Sequence, residues 1–385
     1  MRVLVINDTS LISGAERCLL DLLVELDARV QTLVACPYGP LFDAVAELGV
    51  EVLPGPRTTG SLRLHPLHTP RALGELALAA AGVRRLAARH QIDLIHANTL
   101  RSCLIAAAAR RAGGPPFVAF VHDALPDGRA SRVTSRAIRS QAAMVFANSD
   151  FSADRFGLTR DDPRRRVVFN PFDLARFDPE HHATSPARKR LGLEPEDLVL
   201  AVIAQITPWK GQREALEILA ALRDDDQRAR LLIVGETKFV ARSTRYDNRA
   251  YEAELRQLVR DRGLEPHVHW LGERNDVPQI LAAIDVLLVP SWAEPFGRVV
   301  VEAMAMGCLV AATAVGGPAE VITDGVDGLL LAPREPLHWA RILNATIADL
   351  ELTAAIRRAA PQAVTRFDRE SFARAVLDGY RAALV

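Results

Sequence analysis

Apolar positions along this chain fall into two alternating rhythms. MRVLVIN opens with apolar residues on successive positions, and residues 15–26 then space them as a helix does. VQTLVA follows, then a second helical pattern over 41–48. DLIHA, PFVAFVH and AMVFANS continue the series, each leading into a helix-compatible stretch. Runs that are apolar on every position fit strands buried on both faces. Strands alternating with helices predict a parallel sheet with right-handed crossovers.

The rhythm breaks at VVFNPFDLARFDPEHHATSP, residues 167–186, which holds three prolines and the adjacent His181 and His182. The interdomain linker is placed there. The pattern then restarts with LVLAVIAQ, a helix over 211–222, ARLLIVGE, a long helix near 251–262, VHWLGE, IDVLLVPS and CLVAATAVGG. The expectation is one doubly wound domain over 1–172, a second over 173–368, and a closing helix over 369–385 that packs back toward the first. The fold class is α/β. In open sheets of this kind ligands bind beyond the carboxyl ends of the strands, so the loops there are the ones to read.

Composition narrows the picture. A chain of 385 residues suits two domains, and 49% apolar residues can fill two cores. Lys plus Arg and Asp plus Glu are each 47, so charge gives no reason to expect nucleic acid. Residues 1–172 carry 21 Arg, no Lys and 16 acids, a net of +5 (21 − 16) that leaves −5 for the rest. A solvated face is the simpler account of that bias; an anionic substrate or lipid surface is the alternative. Cys18, Cys36, Cys103 and Cys308 lack any CxxC pairing, which argues against a disulfide framework or thiolate metal site. No signal peptide pattern opens the chain, and no apolar run approaches the roughly 20 residues of a membrane span. A cytoplasmic protein is expected, with peripheral contact at the inner membrane face left open.

The candidate chemistry centres on EPFGRVVVEAMAMG, residues 294–307, where Glu294 and Glu302 stand eight apart. The strand IDVLLVPS precedes it, so Glu294 belongs to a strand-end loop. Gly297 starts a helix whose first N–H groups, from Arg298 and Val299, suit an anion. Two hydroxyl-binding carboxylates beside a helix start are what a phosphorylated sugar requires.

This stretch resembles the E-x7-E motif of the family 4 retaining glycosyltransferases, whose fold is GT-B, two Rossmann-like domains facing across a cleft. VHWLGERNDVPQILAAIDVLLVPSWAEPFGRVVVEAMAMGCLVAATAVGGPAEVITDGVDGLLL resembles that family's donor domain nearly end to end. VIAQITPWKGQ is similar to its KG loop, NPFDLARFDP to its linker, and SGAERCLLDL to its first glycine loop. The resemblance implies that Glu302 binds the nucleotide ribose and Glu294 the donor sugar. It implies that Phe296, Gly297, Arg298 and Val299 line the sugar and diphosphate, and that Lys210 neutralises the diphosphate as its bond to the sugar breaks. Leu271 and Gly272 would contact the base, with Arg274 stacking or pairing. Across the cleft, Gly14 would approach the diphosphate and His122 the donor sugar; Asn148, Ser149 and Asp150 match the strand-end ANS motif. One departure stands out: Gln205 occupies a position where many members carry Arg, so either Lys210 suffices, or Arg213 or Arg298 compensates, or turnover is slow.

The implied reaction moves a sugar from a UDP- or GDP-type nucleotide sugar to an acceptor hydroxyl with retention. The acceptor is a glycan, a lipid-linked glycan or a small natural product. No metal or other cofactor is expected, since Asp224–Asp226 read as a solvated helix end and no DxD follows a strand. A nucleotide-sugar epimerase of the same fold is the runner-up. An NAD(P) oxidoreductase would need GxGxxG after a strand, which DTSLISGAE and VGETKF both lack. A non-catalytic binding protein would not need Glu294, Lys210 and His122 together. His96 reads as a hydrogen-bonding strand-end residue. Residues 160–167 read as a solvated turn, and 238–254 as a long surface loop. Acceptor choice is assigned to the loops over 58–70 and 125–139.

Overall fold

The structure, a computed structural model, describes residues 1–26, 30–55, 69–238 and 246–385, with the side chains of 69–71 and 225 outside the description. The chain forms two compact units, Met1–Phe172 with Phe367–Val385, and Asp173–Arg366. Most of the loop over 58–70, and 239–245 within the longer loop, lie outside the described residues.

The first unit is built on seven parallel strands: β1 (Arg2–Ile6), β2 (Gln31–Cys36), β3 (Glu51–Pro54), β4 (Leu94–Ala97), β5 (Phe117–Val121), β6 (Met144–Ala147) and β7 (Arg165–Val167). Their order is β3-β2-β1-β4-β5-β6-β7. Helices α1 (Gly14–Glu25), α2 (Pro40–Glu47), α3 (Thr69–Arg89), α4 (Leu100–Arg111), α5 (Arg129–Arg139) and α6 (Asp150–Arg155) connect them. The apolar runs sit where the pattern places them because these strands are covered on both faces. Leu4, Ile6, Ile95, Phe117 and Val145 face one core, and Val3, Val5, Leu94, Phe120 and Phe146 the other. Polar residues at strand ends start the next helix: Thr99 Oγ1 accepts from the Ser102 N–H at 3.2 Å, and Ser149 Oγ from the Ser152 N–H at 2.9 Å.

In the second unit, α7 (Thr184–Arg190) leads into β8 (Leu198–Ile203), α8 (Gln212–Asp225), β9 (Ala229–Val234), α9 (Asn248–Asp261), β10 (Val268–Gly272) and α10 (Val277–Ala283). Then come β11 (Val286–Val289), α11 (Arg298–Ala305), β12 (Leu309–Thr313), α12 (Pro318–Val321), β13 (Leu329–Leu331), α13 (Pro336–Ala348) and α14 (Leu350–Val364). The parallel order is β10-β9-β8-β11-β12-β13. A closing helix, α15 (Arg369–Ala383), belongs to the first unit, where Phe372, Val376 and Tyr380 join the core around Phe120 and Phe146.

Three readings are corrected. Residues 129–139 of the stretch taken as a loop form α5, which buries Ser135 and Ile138, and 248–254 of the long surface loop belong to α9, which Asp247 caps and Tyr251 anchors. Residues 160–167 are not simply a solvated turn, because Arg165–Val167 adds the edge strand β7 beside β6. Arg165 is buried there and pairs with Asp150 and with Asp154, whose Oδ1 accepts at 2.8 Å. Asp150 of the ANS motif is thereby committed to an ion pair.

Candidate active site

Strand order reverses between β8 and β11 in the second unit and between β1 and β4 in the first. A crevice opens at the carboxyl ends of strands at such a point. The residues singled out by sequence gather at these two places.

In the second unit, three strand-end segments interlock. The Trp292 N–H donates to the Trp209 carbonyl at 2.9 Å, tying the loop after β11 to the turn after β8. Gly211 ends that turn at φ 74°, and a Cβ there would lie 2.1 Å from the Pro290 carbonyl oxygen, so the KG step requires glycine. Glu294 donates its N–H to the Val315 carbonyl at 3.0 Å and accepts from the Gly317 N–H at 2.8 Å. A Cβ on Gly316, at φ 106°, would fall 2.0 Å from the Glu294 carbonyl oxygen. The two glycine motifs therefore exist to lock the backbone of Glu294 against its neighbours.

Those contacts bring Lys210 and Glu294 together. Lys210 Nζ donates to Glu294 Oε2 at 2.7 Å, and Ser291 Oγ donates to the same oxygen at 2.8 Å. Glu294 is 5% exposed, so its carboxyl group meets a cation and a hydroxyl where little water reaches. Lys210 Nζ also stands 4.2 Å over the Trp209 ring. Sequence reasoning found the acid and the lysine but not their pairing, nor Ser291. It also missed Trp292, whose Nε1 donates to Glu214 at 2.8 Å and whose ring lies 3.9 Å beneath the Arg334 guanidinium. The serine of PSWAEPFG, three residues before Glu294, was the available signal.

Gly297 caps α11 at φ 86°, and Arg298 and Val299 form the helix's first turn. Glu302 lies one turn further, 3.8 Å from Arg298 Nε. Phe296 is buried, so its side chain anchors the loop. Leu271 and Gly272 end β10, and the Gly272 carbonyl accepts from the Gly235 N–H at 2.7 Å. Arg274 pairs with Asp276 through two hydrogen bonds at 2.6 and 2.7 Å, which pull that carboxyl below its ordinary value. Beside Gly272, a hydrogen bond donated to Glu273 raises the Glu236 carboxyl, and Lys238 binds Glu273 at 2.5 Å. Gln205 accepts through its backbone carbonyl from Gln212 at 2.9 Å. Of the two arginines considered in its place, Arg213 bonds the exposed Glu254 at 3.3 Å, whereas Arg298 stays at the α11 start.

The first unit's cluster sets amides beside charges: Asp8 accepts from Thr99 Oγ1 and lies 3.6 Å from Arg101. Asn7 and Asp8 follow β1, Asn98 and Thr99 follow β4, and His122 follows β5. Asn98 Nδ2 donates to Asn7 Oδ1 at 3.0 Å, and Asn7 Nδ2 donates to Glu16 Oε1 at 3.2 Å. Asn7, Glu16 and Asn98 are each at most 1% exposed, a burial that no local pattern reveals. His122 stacks on Phe120 with centroids 4.0 Å apart, and its carbonyl accepts from Asn148 Nδ2 at 2.8 Å. A Cβ on Gly14 would meet no atom within 4 Å, so the backbone at the α1 start is open to approach. His96 is a buried strand residue whose Nδ1 contacts the Tyr380 hydroxyl at 2.5 Å. Burial pulls its pKa down to about 4 against an opposing hydrogen bond that Asn98 accepts.

Known proteins share this architecture. Residues 12–176 match the family model described as Glycosyltransferase Family 4, and 184–363 that described as Glycosyl transferases group 1. The D-inositol 3-phosphate glycosyltransferase of Actinosynnema mirum is 35% identical over 294 residues, 70% of this chain and 68% of that protein. Its namesake in Rhodococcus jostii is 30% identical over 336 residues, 81% of this chain and 72% of that one. The crystal structure of Anabaena HepE in complex with UDP and glucose matches at a TM-score of 0.84 and 30% identity, over 99% of each chain. A Rickettsia africae glycosyltransferase, at 18% identity and a TM-score of 0.80, shares the fold. The fold is GT-B, the enzyme is a glycosyltransferase, and the chain belongs to glycosyltransferase family 4.

Proposed function

We infer that the enzyme transfers a hexosyl group from a UDP-sugar to an acceptor hydroxyl, with retention of anomeric configuration and without a metal. The observation that carries this is the Lys210–Glu294–Ser291 cluster beside the α11 start, all at the β8–β11 switch point. Lys210 and the first-turn N–H groups of α11 supply the charge that a departing diphosphate needs, and stabilising developing charge is commonly the largest catalytic term. Glu294 accepts from sugar hydroxyls, and Glu302 accepts from the paired ribose hydroxyls. Leu271 and Gly272 serve the base. With Gln205 neutral, Lys210 and Arg298 carry the cationic role between them. For the first unit the same reading assigns Gly14 to the diphosphate and His122 to the transferred sugar.

In this reaction the bond from the anomeric carbon to the phosphate oxygen breaks and the acceptor oxygen bonds to the same face. The acceptor proton leaves on the departing phosphate. UDP is favoured over GDP because HepE, at 30% identity, was solved with UDP-glucose. An inositol phosphate is the first acceptor to try, given the names of the relatives at 30–35% identity. Lipid-linked and free glycans are the next acceptors. Among the described residues no helix is long and apolar enough to cross a membrane, and a peripheral membrane contact remains part of the proposal for a lipid-linked acceptor.

The test is an acceptor panel with UDP- and GDP-sugars, with and without a chelator, read by proton NMR of the product's anomeric centre. An axial linkage from an axial donor, unchanged by chelator, is expected. An equatorial product, a chelator-sensitive rate, or a GDP-sugar preference would each overturn its part. Conversion of donor without acceptor would restore the epimerase, which nothing in the comparisons favours.

A further inference from the structure

The amide chain behind His122 has a fixed direction, and that direction determines which imidazole nitrogen carries the proton. Asn7 Nδ2 donates to the Thr9 carbonyl at 2.8 Å as well as to Glu16 Oε1 at 3.2 Å. A backbone carbonyl can only accept, so the Asn7 amide cannot be reversed without losing both bonds. Glu16 Oε2 in turn accepts from the Ser13 N–H at 3.0 Å, closing the start of α1 onto the same carboxylate. Asn7 Oδ1 is left to accept, and Asn98 Nδ2 donates to it at 3.0 Å and reaches the Ala15 carbonyl at 3.4 Å. With its nitrogen so occupied, Asn98 presents Oδ1 to His122 Nε2, 3.4 Å away. An oxygen with no hydrogen can only accept there.

We propose that Asn98, aligned by Asn7 and Glu16, is a positioning residue that holds neutral His122 as the Nε2–H tautomer. The lone pair is then on Nδ1. Two further contacts fix the ring. Its plane lies on Phe120 at an interplanar angle of 26°, and its backbone is held by Asn148. Phe120 itself is wedged by Phe146 at 5.7 Å and Phe372 of α15 at 6.2 Å. A half-turn about Cβ–Cγ would keep the ring plane on Phe120 but put Cε1 where Nε2 stands, so the contact with the Asn98 oxygen would be lost. The tautomer and the rotamer are therefore set together, before any ligand arrives.

The effect on turnover rests on the reading that His122 meets the donor sugar; the tautomer assignment does not. The experiment uses the full chain with ¹⁵N-labelled histidine, and a His122→Gln spectrum identifies the His122 signals. Two-bond ¹⁵N–¹H correlations then report the tautomer. Wild type is expected to show a protonated Nε2 and a pyridine-type Nδ1. Asn98→Leu, which keeps the heavy-atom branching, removes the acceptor and should yield mixed tautomers, with kcat down about tenfold or more and donor KM little changed. Asn98→Asp restores an acceptor and should restore the Nε2–H form.

A wild-type Nδ1–H tautomer overturns the proposal without any variant, so a variant that fails to fold does not shield it. An Asn98→Leu spectrum identical to wild type overturns it equally. UDP-glucose titration separates the two readings. If the tautomer is Nε2–H but no His122 signal moves at saturating donor, the positioning role stands and the sugar contact falls.

Discussion

Replacing either member of the Lys210–Glu294 pair should do more damage than replacing both. At 2.7 Å the pair attracts with about 6 kcal/mol at an effective dielectric near 20, before desolvation of the two groups is counted. Lys210→Met leaves the Glu294 carboxylate, whose side chain is 7% exposed, with the Ser291 hydroxyl alone. Stranding a buried charge in this way costs roughly 3–5 kcal/mol. Because the Lys210 side chain keeps 17% of its surface in solvent, the low end applies, about 3 kcal/mol. For a unit of this size that corresponds to a Tm lower by roughly 6–12 °C. Glu294→Gln should cost somewhat less, since a lysine can still reach water. The double variant removes both charges and should return to within about 1 kcal/mol of wild type. Trp209, Trp270, Trp292 and Trp339, the chain's four tryptophans, all lie in Asp173–Arg366, so intrinsic fluorescence during urea unfolding reports this unit alone. Turnover should behave differently: each single variant should lose about 10²-fold or more in kcat, and the double should not recover it. Additive stability effects, each below about 0.5 kcal/mol, would refute the buried-pair argument.

Three other outcomes follow from the same geometry. Gly316→Ala forces a Cβ to 2.0 Å from the Glu294 carbonyl at φ 106°, so it should destabilise the second unit by at least about 2 kcal/mol in the same fluorescence assay. Glu302→Gln should raise the Kd for UDP about tenfold with kcat at saturating donor nearly kept, whereas Glu294→Gln should do the reverse; calorimetry and steady-state rates distinguish them. His96 is held neutral in the folded chain with a pKa of about 4, whereas the unfolded chain takes up the proton near pH 6.5. As pH falls the unfolded state binds the proton first, so stability is full above about pH 6.5 and is lost toward pH 4. Between pH 7 and pH 5 the loss should be about 2 kcal/mol by circular dichroism, and it should vanish in His96→Gln.

The strands that sequence read well are those buried on both faces, since burial on both sides erases alternation and leaves plain apolar runs such as FVAFV. The short edge strands escaped for the opposite reason. β7 is RRV, three residues with two arginines, and its pairing with β6, with Arg165 buried against Asp150 and Asp154, shows only in the tertiary structure. In the site, motif spacing could identify Lys210 and Glu294 separately. Their contact spans 84 residues and depends on Gly211, Gly316 and the Trp292–Trp209 hydrogen bond bringing two loops into register. No local pattern encodes that distance. The Asn7–Asn98–Glu16 network was illegible for a different reason: asparagine and glutamate near strand ends read as loop or surface residues until burial is known.

Both units use the same topological position, yet the groups beside Lys210 and those beside His122 differ in kind. At the β8–β11 point stand an ion pair, a helix start and two tryptophan rings, each carrying a cation: Lys210 over Trp209 and Arg334 over Trp292. At the β1–β4 point the groups nearest His122 are amides whose hydrogen bonds run in one direction. Charge tolerates displacement, since a Coulomb term falls slowly with distance; a directed hydrogen bond does not. The second unit should therefore dominate nucleotide affinity, and the first should dominate how the reacting centre is presented. The consequence is measurable with UDP alone. Asn98→Leu should leave the Kd for UDP within about twofold of wild type, whereas Lys210→Met should raise it by about 10-fold or more, the loss of one charge-assisted contact. Equal weakening by both variants would mean that the amide network also binds the nucleotide, and the division of labour drawn here would be wrong.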